Sequence, residues 1–139
     1  MAQSYPVFRI LDANINRLRE GLRIIEEFFR FIDNNHDISL VFKRLRHELK
    51  EIEKLIGRDN LISSRETATD CFANQNRPEE LTRDCIEDIV YAGFKRSQEA
   101  SRVIEEYSKI CSIDSSEIAK KIRFSLYSFE KDFLEKYSK

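Results

Sequence analysis

Arginine and glutamate alternate every third residue from Arg17 through Glu20 and Arg23 to Glu26, and the same order returns as Arg96, Glu99, Arg102 and Glu105. A guanidinium is planar and donates two parallel hydrogen bonds, so four such arginines brought together suit a phosphate or carboxylate. The competing reading is a ladder of salt bridges along a solvated helix face, worth a few tenths of a kcal/mol per pair. Ile24, Phe28 and Phe31 lie on the side that carries Arg17, Glu20 and Glu27. Charges set among apolar neighbours are partly desolvated and need partners, either each other or a ligand.

These charges belong to an internal repeat. Residues 13–31 align with residues 92–110 at an offset of 79, and seven of the nineteen positions are identical. Ala13, Arg17, Glu20, Arg23, Ile25, Glu26 and Glu27 match Ala92, Arg96, Glu99, Arg102, Ile104, Glu105 and Glu106. A fainter match joins 45–53 to 122–130 through Arg46/Arg123, Leu49/Leu126 and Glu53/Glu130. The pattern predicts an all-α bundle of two duplicated αα-hairpins, about 7–57 and 84–137, related by a pseudo-twofold axis. It places the charged motif at the interface of the repeats.

The elements that would position these residues follow from apolar spacing. Phe8, Leu11, Ile15, Leu18, Leu22, Ile25, Phe29 and Ile32 predict a first helix over about 7–32, ended by the Asn and Asp cluster at 34–37. Phe42, Leu45, Leu49, Ile52 and Ile56 predict a second over about 39–56, with Gly57 as its C-cap. Pro78, Glu79 and Glu80 suit the start of a third, interrupted near 82–84 and running to about 109. Its seam of Ile86, Val90, Gly93, Ser97, Ala100 and Ile104 has small residues that permit close approach by a neighbour. Ser115 or Ser116 would cap a last helix carrying Ile118, Ile122, Leu126, Phe129 and Phe133.

Between the halves, 58–77 lacks strong periodicity and reads as an irregular loop, a feature often functional in a compact domain. Arg65, Glu66, Thr67, Thr69 and Asp70 cluster there, a set that suits phosphate and Mg²⁺. No Walker A sequence, glycine-rich phosphate loop or HExxH is present, and His36 and His47 lie far apart.

The chain of 139 residues reads as one domain, 1–139. Charged residues make up 35% of it, yet it carries ten Phe and five Tyr, which favours an amphipathic bundle over a disordered chain. A net charge of −1 exerts no global pull on nucleic acid or an anionic membrane. There is no apolar run of spanning length and no signal-peptide pattern at the N-terminus. Cys71, Cys85 and Cys111 are scattered, without metal-site spacing, and read as reduced thiols of a cytoplasmic protein.

RILDANINRLREGLRIIEEFFRF (9–31), RLRH (44–47), RETATD (65–70), FKRSQEASRVIEEYSK (94–109) and IRFSLYSFEK (122–131) together resemble one bacterial family. It is the α-helical hydroxymethylpyrimidine phosphate kinase, found alone or fused ahead of thiamine-phosphate synthase. The chain departs from the family pattern at Glu66, at Cys71-Phe72 and at Gly93, where an Asn is common. The resemblance implies transfer of the ATP γ-phosphate onto a phosphorylated pyrimidine, with Mg²⁺ as cofactor. Chemistry then suggests Arg17, Arg23, Arg96, Arg102 and Arg65 as phosphate ligands, with Lys95 and Arg123 behind them. Asp70, Glu20 and Glu99 become candidates for Mg²⁺ or for orienting arginines, and Asn14 and Asn16 for the aminopyrimidine edge.

Two other readings stay open. One is a non-catalytic helical partner of thiamine-phosphate synthase, which would tolerate Arg→Ala changes. The other is an all-α enzyme of chorismate-mutase type, in which arginines clamp carboxylates without metal. A homo-oligomer is compatible with each.

Overall fold

A computed structural model describes residues 4–68, 70–72 and 82–137. These are mostly helical with no strand, as the sequence predicts. Helix α1 spans Ser4–Glu27, α2 His36–Ile56, α3 Arg58–Ser63, α4 Ile86–Tyr107 and α5 Ile113–Tyr137. Helix α1 packs most extensively on α4, then on α2, while α5 closes the bundle against α4 and α2.

The first helix does not stay α-helical to Ile32. Phe28–Ile32 form a π-helical turn whose wider winding buries Phe28 and the adjacent Phe29 together. Ile32, assigned to the seam by its spacing, is consequently rotated out and stands 51% exposed. Asn34 then takes a positive φ of 52°, and Asn35 accepts a hydrogen bond from the Ile38 amide at 3.1 Å, capping α2. Gly57, at φ 102°, ends α2 and donates its N–H to Glu53 O at 2.9 Å.

The segment beyond Gly57 opens as helix α3, not as an irregular loop. It buries only Leu61, and two adjacent apolar residues in six, Leu61 and Ile62, leave no periodicity to read. Helix α4 begins at Ile86, and 82–85 is not helical. Ile86 is half-exposed at the helix start instead of lying in the seam. The expected helix start at Pro78, Glu79 and Glu80, and Thr69 of the loop cluster, lie outside the described residues. Helix α5 starts at Ile113, earlier than expected, because Ser112 takes the capping position and accepts from the Ser115 amide at 3.2 Å. Ser115 and Ser116 are buried inside the helix instead.

One apolar cluster runs through the described residues, from Val7 and Leu11 in α1 to Phe133 in α5. At one end it becomes aromatic: Phe29 stacks on Phe42, and Phe42 meets Phe94 edge-on with centroids 6.1 Å apart. Phe94 in turn meets Phe133. The π-turn supplies Phe29 to this set and Phe28, which meets Phe133 edge-on, so it fixes how α1 seats on the bundle.

Helices α1 and α4 meet at glycines. A Cβ on Gly21 would lie 2.1 Å from Ser97 Oγ, and one on Gly93 would lie 3.3 Å from Ile24 Cγ2. The small residues of the α4 seam do permit the close approach that the sequence suggests. Gly21 is the matching feature on α1 that spacing alone does not reveal.

Candidate functional site

The repeated charges separate into two sets. Glu26 and Glu105, repeat equivalents, are both buried, at 4% and 6% exposure. Arg46 grips Glu26 with two hydrogen bonds of 3.0 Å, and Arg123 donates to Glu105 at 3.0 Å. Arg23 bridges Glu26 and Glu27 just as Arg102 bridges Glu105 and Glu106. The Glu105 carboxylate raises the Arg123 pKa further above its ordinary value. These are internal pairs that satisfy buried carboxylates. Arg23, Arg102 and Arg123, expected as phosphate ligands, are thus committed to glutamates.

Arg17, Arg96, Glu20 and Glu99 are different. Among the described residues none of the four has an ion-pair partner; Arg17 makes only a long 3.5 Å hydrogen bond to Asn14 Oδ1. They line one cleft of about 420 Å³ between α1 and α4. Its walls are built from repeat equivalents: Arg17 with Arg96, Glu20 with Glu99, Gly21 with Ala100, and Ile24 with Val103. Asn14 completes the lining, is buried, and donates to Ile10 O at 2.9 Å. The close crossing at Gly21 brings the two motifs to a common space. Two unpaired guanidinium groups there can neutralise an anion.

Other expected site residues stand elsewhere. Arg65 forms a bidentate pair with buried Asp12, at 2.7 and 2.8 Å, which docks the loop on α1 and raises the arginine pKa. Lys95 pairs with buried Glu130 at 3.1 Å, and the carboxylate raises the ammonium pKa. Asn16 accepts from Arg19 at 2.6 Å and does not line the cleft. Asp70 is exposed and accepts from the Phe72 amide. Neither Arg65 nor Asp70 lines the cleft.

Among the described residues no group of three or more His, Cys, Asp or Glu is arranged to hold a metal by itself. Glu20 and Glu99 both line the cleft, and Mg²⁺ is commonly held by one or two carboxylates plus phosphate oxygens of the ligand. Of the buried carboxylates, Glu26 and Glu105 belong to the repeated charge motif, whereas Asp12 lies outside it. The available signal for their burial was that Asp12, Glu26 and Glu105 fall beside core positions of their helices.

A second cavity of about 370 Å³ adjoins the first and shares Ile24 and Arg96 with it. Thr82, Arg83, Ile89, Ala92 and Gly93 form its remaining walls. Cys71, Cys85 and Cys111 are free and exposed, and none of them lines either cavity. No helix among the described residues is long and apolar enough to cross a membrane.

The profile of the ThiD2 family matches residues 9–132. The chain is 41% identical over 128 residues to a thiamine-phosphate synthase of Nostoc punctiforme, a match covering 92% of this chain and 35% of that protein. It is 37% identical over 130 residues to a thiamine-phosphate synthase of Gloeobacter violaceus, covering 94% of the chain and 37% of the relative. For the thiamine-phosphate synthase of Rhodopirellula baltica the identity is 36% over 127 residues, covering 91% and 34%. The chain therefore spans about a third of the length of these curated relatives. No solved structure matches it.

Proposed function

The chain belongs to the ThiD2 family, and from that membership and the α1–α4 cleft we propose that it binds a phosphorylated intermediate of thiamine biosynthesis. The observation that carries this reading is the pair of arginines, one from each repeat, left without carboxylate partners around a single cleft. We propose further that the protein is the hydroxymethylpyrimidine phosphate kinase. An oxygen of the acceptor's phosphate attacks the γ-phosphorus of ATP, the bond from that phosphorus to the β-bridging oxygen breaks, and ADP departs. The acceptor is already an anion, so no strong general base is needed; the barrier is the approach of two negative phosphates. Arg17 and Arg96 would neutralise that charge from opposite walls. Glu20 and Glu99 would hold Mg²⁺, which when bound supplies further neutralisation of the phosphate oxygens.

A second reading has its own support. The relatives are named for the synthase and not for a kinase, and the chain matches only about a third of their length. That favours a helical module working beside a thiamine-phosphate synthase, with the cleft holding the phosphorylated pyrimidine without transforming it. Of the two, the comparisons lend more support to the module and the cleft chemistry more to the kinase.

Release of ADP from ATP and Mg²⁺ separates them. The kinase predicts ADP only when hydroxymethylpyrimidine phosphate is present, and none with the unphosphorylated pyrimidine. Folded protein that forms no ADP under any condition, yet binds the phosphorylated pyrimidine, would leave the module reading in place.

A further inference from the structure

The two repeats contribute equivalent residues to the cleft at every position but one. Asn14 corresponds to Gly93 at the repeat offset of 79. At the α1 end the Asn14 amide is buried and tied to Ile10 O, so that end is filled by protein. At the α4 end there is no side chain, and the adjoining cavity opens beside Gly93. A Cβ at Gly93 would lie 3.3 Å from Ile24 Cγ2, the side chain that lines both cavities. That Cβ would also meet Ile25 Cγ1 at 3.3 Å and Gly21 O at 3.6 Å, so the glycine serves the close helix crossing and leaves the wall of the adjoining cavity without a side chain where its repeat mate has an amide.

We propose that this second cavity is the lobe that receives the planar heteroaromatic head of a phosphate monoester, while the ester's phosphate sits on Arg96. Arg96 stands on the shared wall, so a phosphate bound to it faces the first cavity and Arg17. Ile24 and Ile89, at 37% and 43% exposure, offer aliphatic surface suited to covering a flat ring. Thr82 adds a hydroxyl that can both donate and accept at the ring edge. The breach of symmetry gives the ligand one orientation: head toward Gly93, phosphate toward the arginine pair. It assigns ring recognition to α4 and the residues just before it, not to Asn14 and Asn16. This inference rests on the reading of the α1–α4 cleft as an anion site.

Isothermal titration calorimetry on the full chain tests it with three probes: hydroxymethylpyrimidine phosphate, inorganic pyrophosphate and ADP. Ala92→Leu would fill the lobe from a residue that does not line the first cavity. Binding of the phosphorylated pyrimidine is expected to weaken by about tenfold or more, a typical effect of mis-shaping a small pocket. Pyrophosphate binding should stay within about twofold of the wild type, since no charge is lost. Ile89→Ala, which removes aliphatic wall at an exposed site, provides a second variant should Ala92→Leu unfold, and the same selective loss is expected. Normal pyrimidine binding by a folded lobe variant that still binds pyrophosphate would overturn the lobe and leave the anion site standing. Loss of ADP binding with retention of the pyrimidine would give the lobe to the nucleotide and overturn the proposal. Wild-type protein that binds neither pyrophosphate nor the pyrimidine would remove the anion site, and the lobe with it.

Discussion

An arginine in this protein is defined less by its place in the repeat than by whether a carboxylate already holds it. Arg23 and Arg102 have two glutamates each, Arg46 and Arg123 have a buried one, and Arg17 and Arg96 have none. Replacing Arg17 or Arg96 by Ala is therefore expected to leave thermal stability unchanged. If the kinase reading holds, each should lower kcat/KM by about 100-fold or more, the scale for losing one transition-state charge contact. Steady-state kinetics and a thermal melt on the same preparations check both halves of that expectation. Glu105→Ala should do the reverse. It strips the partner from Arg123, whose side chain is 11% exposed, and is expected to cost about 3 kcal/mol in urea unfolding. A glutamate replacement that melts like the wild type would show that the pair is solvent-screened instead of structural.

At the scale of elements, the contact between α1 and α4 decides whether a site exists. The repeat motif lies on both helices, but it forms one cleft only because Gly21 lets the helices cross closely. A methyl group at Gly21 would need the space of Ser97 Oγ. Gly21→Ala is therefore expected to lower stability by about 1–3 kcal/mol, as overpacking of a tight core usually does. Ser97 Oγ is buried without a hydrogen-bond partner, so adding Ser97→Ala should recover part of the loss. Full additivity of the two changes in chemical unfolding would argue against direct contact between them.

For the whole molecule, the turn that follows the first helix is tied by charge to the end of α5. Asp33, after the π-turn, accepts a hydrogen bond from the Tyr137 hydroxyl at the end of α5 and pairs with Lys136 at 3.1 Å. The tyrosine hydrogen bond, aided by Lys136, lowers the Asp33 pKa below its ordinary 3.8. A carboxyl whose folded pKa lies below its unfolded one adds stability at pH above the unfolded value. That contribution disappears as pH falls through the folded pKa, in the region below 3.8. Melting temperatures taken from pH 6 down to pH 3 should accordingly fall less for Asp33→Asn than for the wild type. Parallel curves would mean that the link between Asp33 and the end of α5 contributes nothing to acid stability.

Much of the architecture was legible because apolar spacing is a local code. Leu11, Ile15, Leu18, Leu22 and Ile25 repeat at three and four, and all are buried in α1. Gly57 announced its cap through the same kind of local chemistry. The π-turn was not legible, because in the sequence the three-and-four apolar spacing runs on unbroken through Phe29 to Ile32, and the turn is stabilised by rings from α2 and α5. Helix α3 was hidden because a single leucine anchors it. The repeat of Arg17, Glu20, Arg23 and Glu26 was visible in the chain, and with it the expectation of a polar interface between the copies. Which of those charges stay available was decided by tertiary structure alone. Burial of Glu26 and Glu105 requires countercharge, and the side chains that supply it, Arg46 and Arg123, come from other helices. A local pattern specifies which face a residue takes, whereas pairing depends on what the rest of the fold brings to that face.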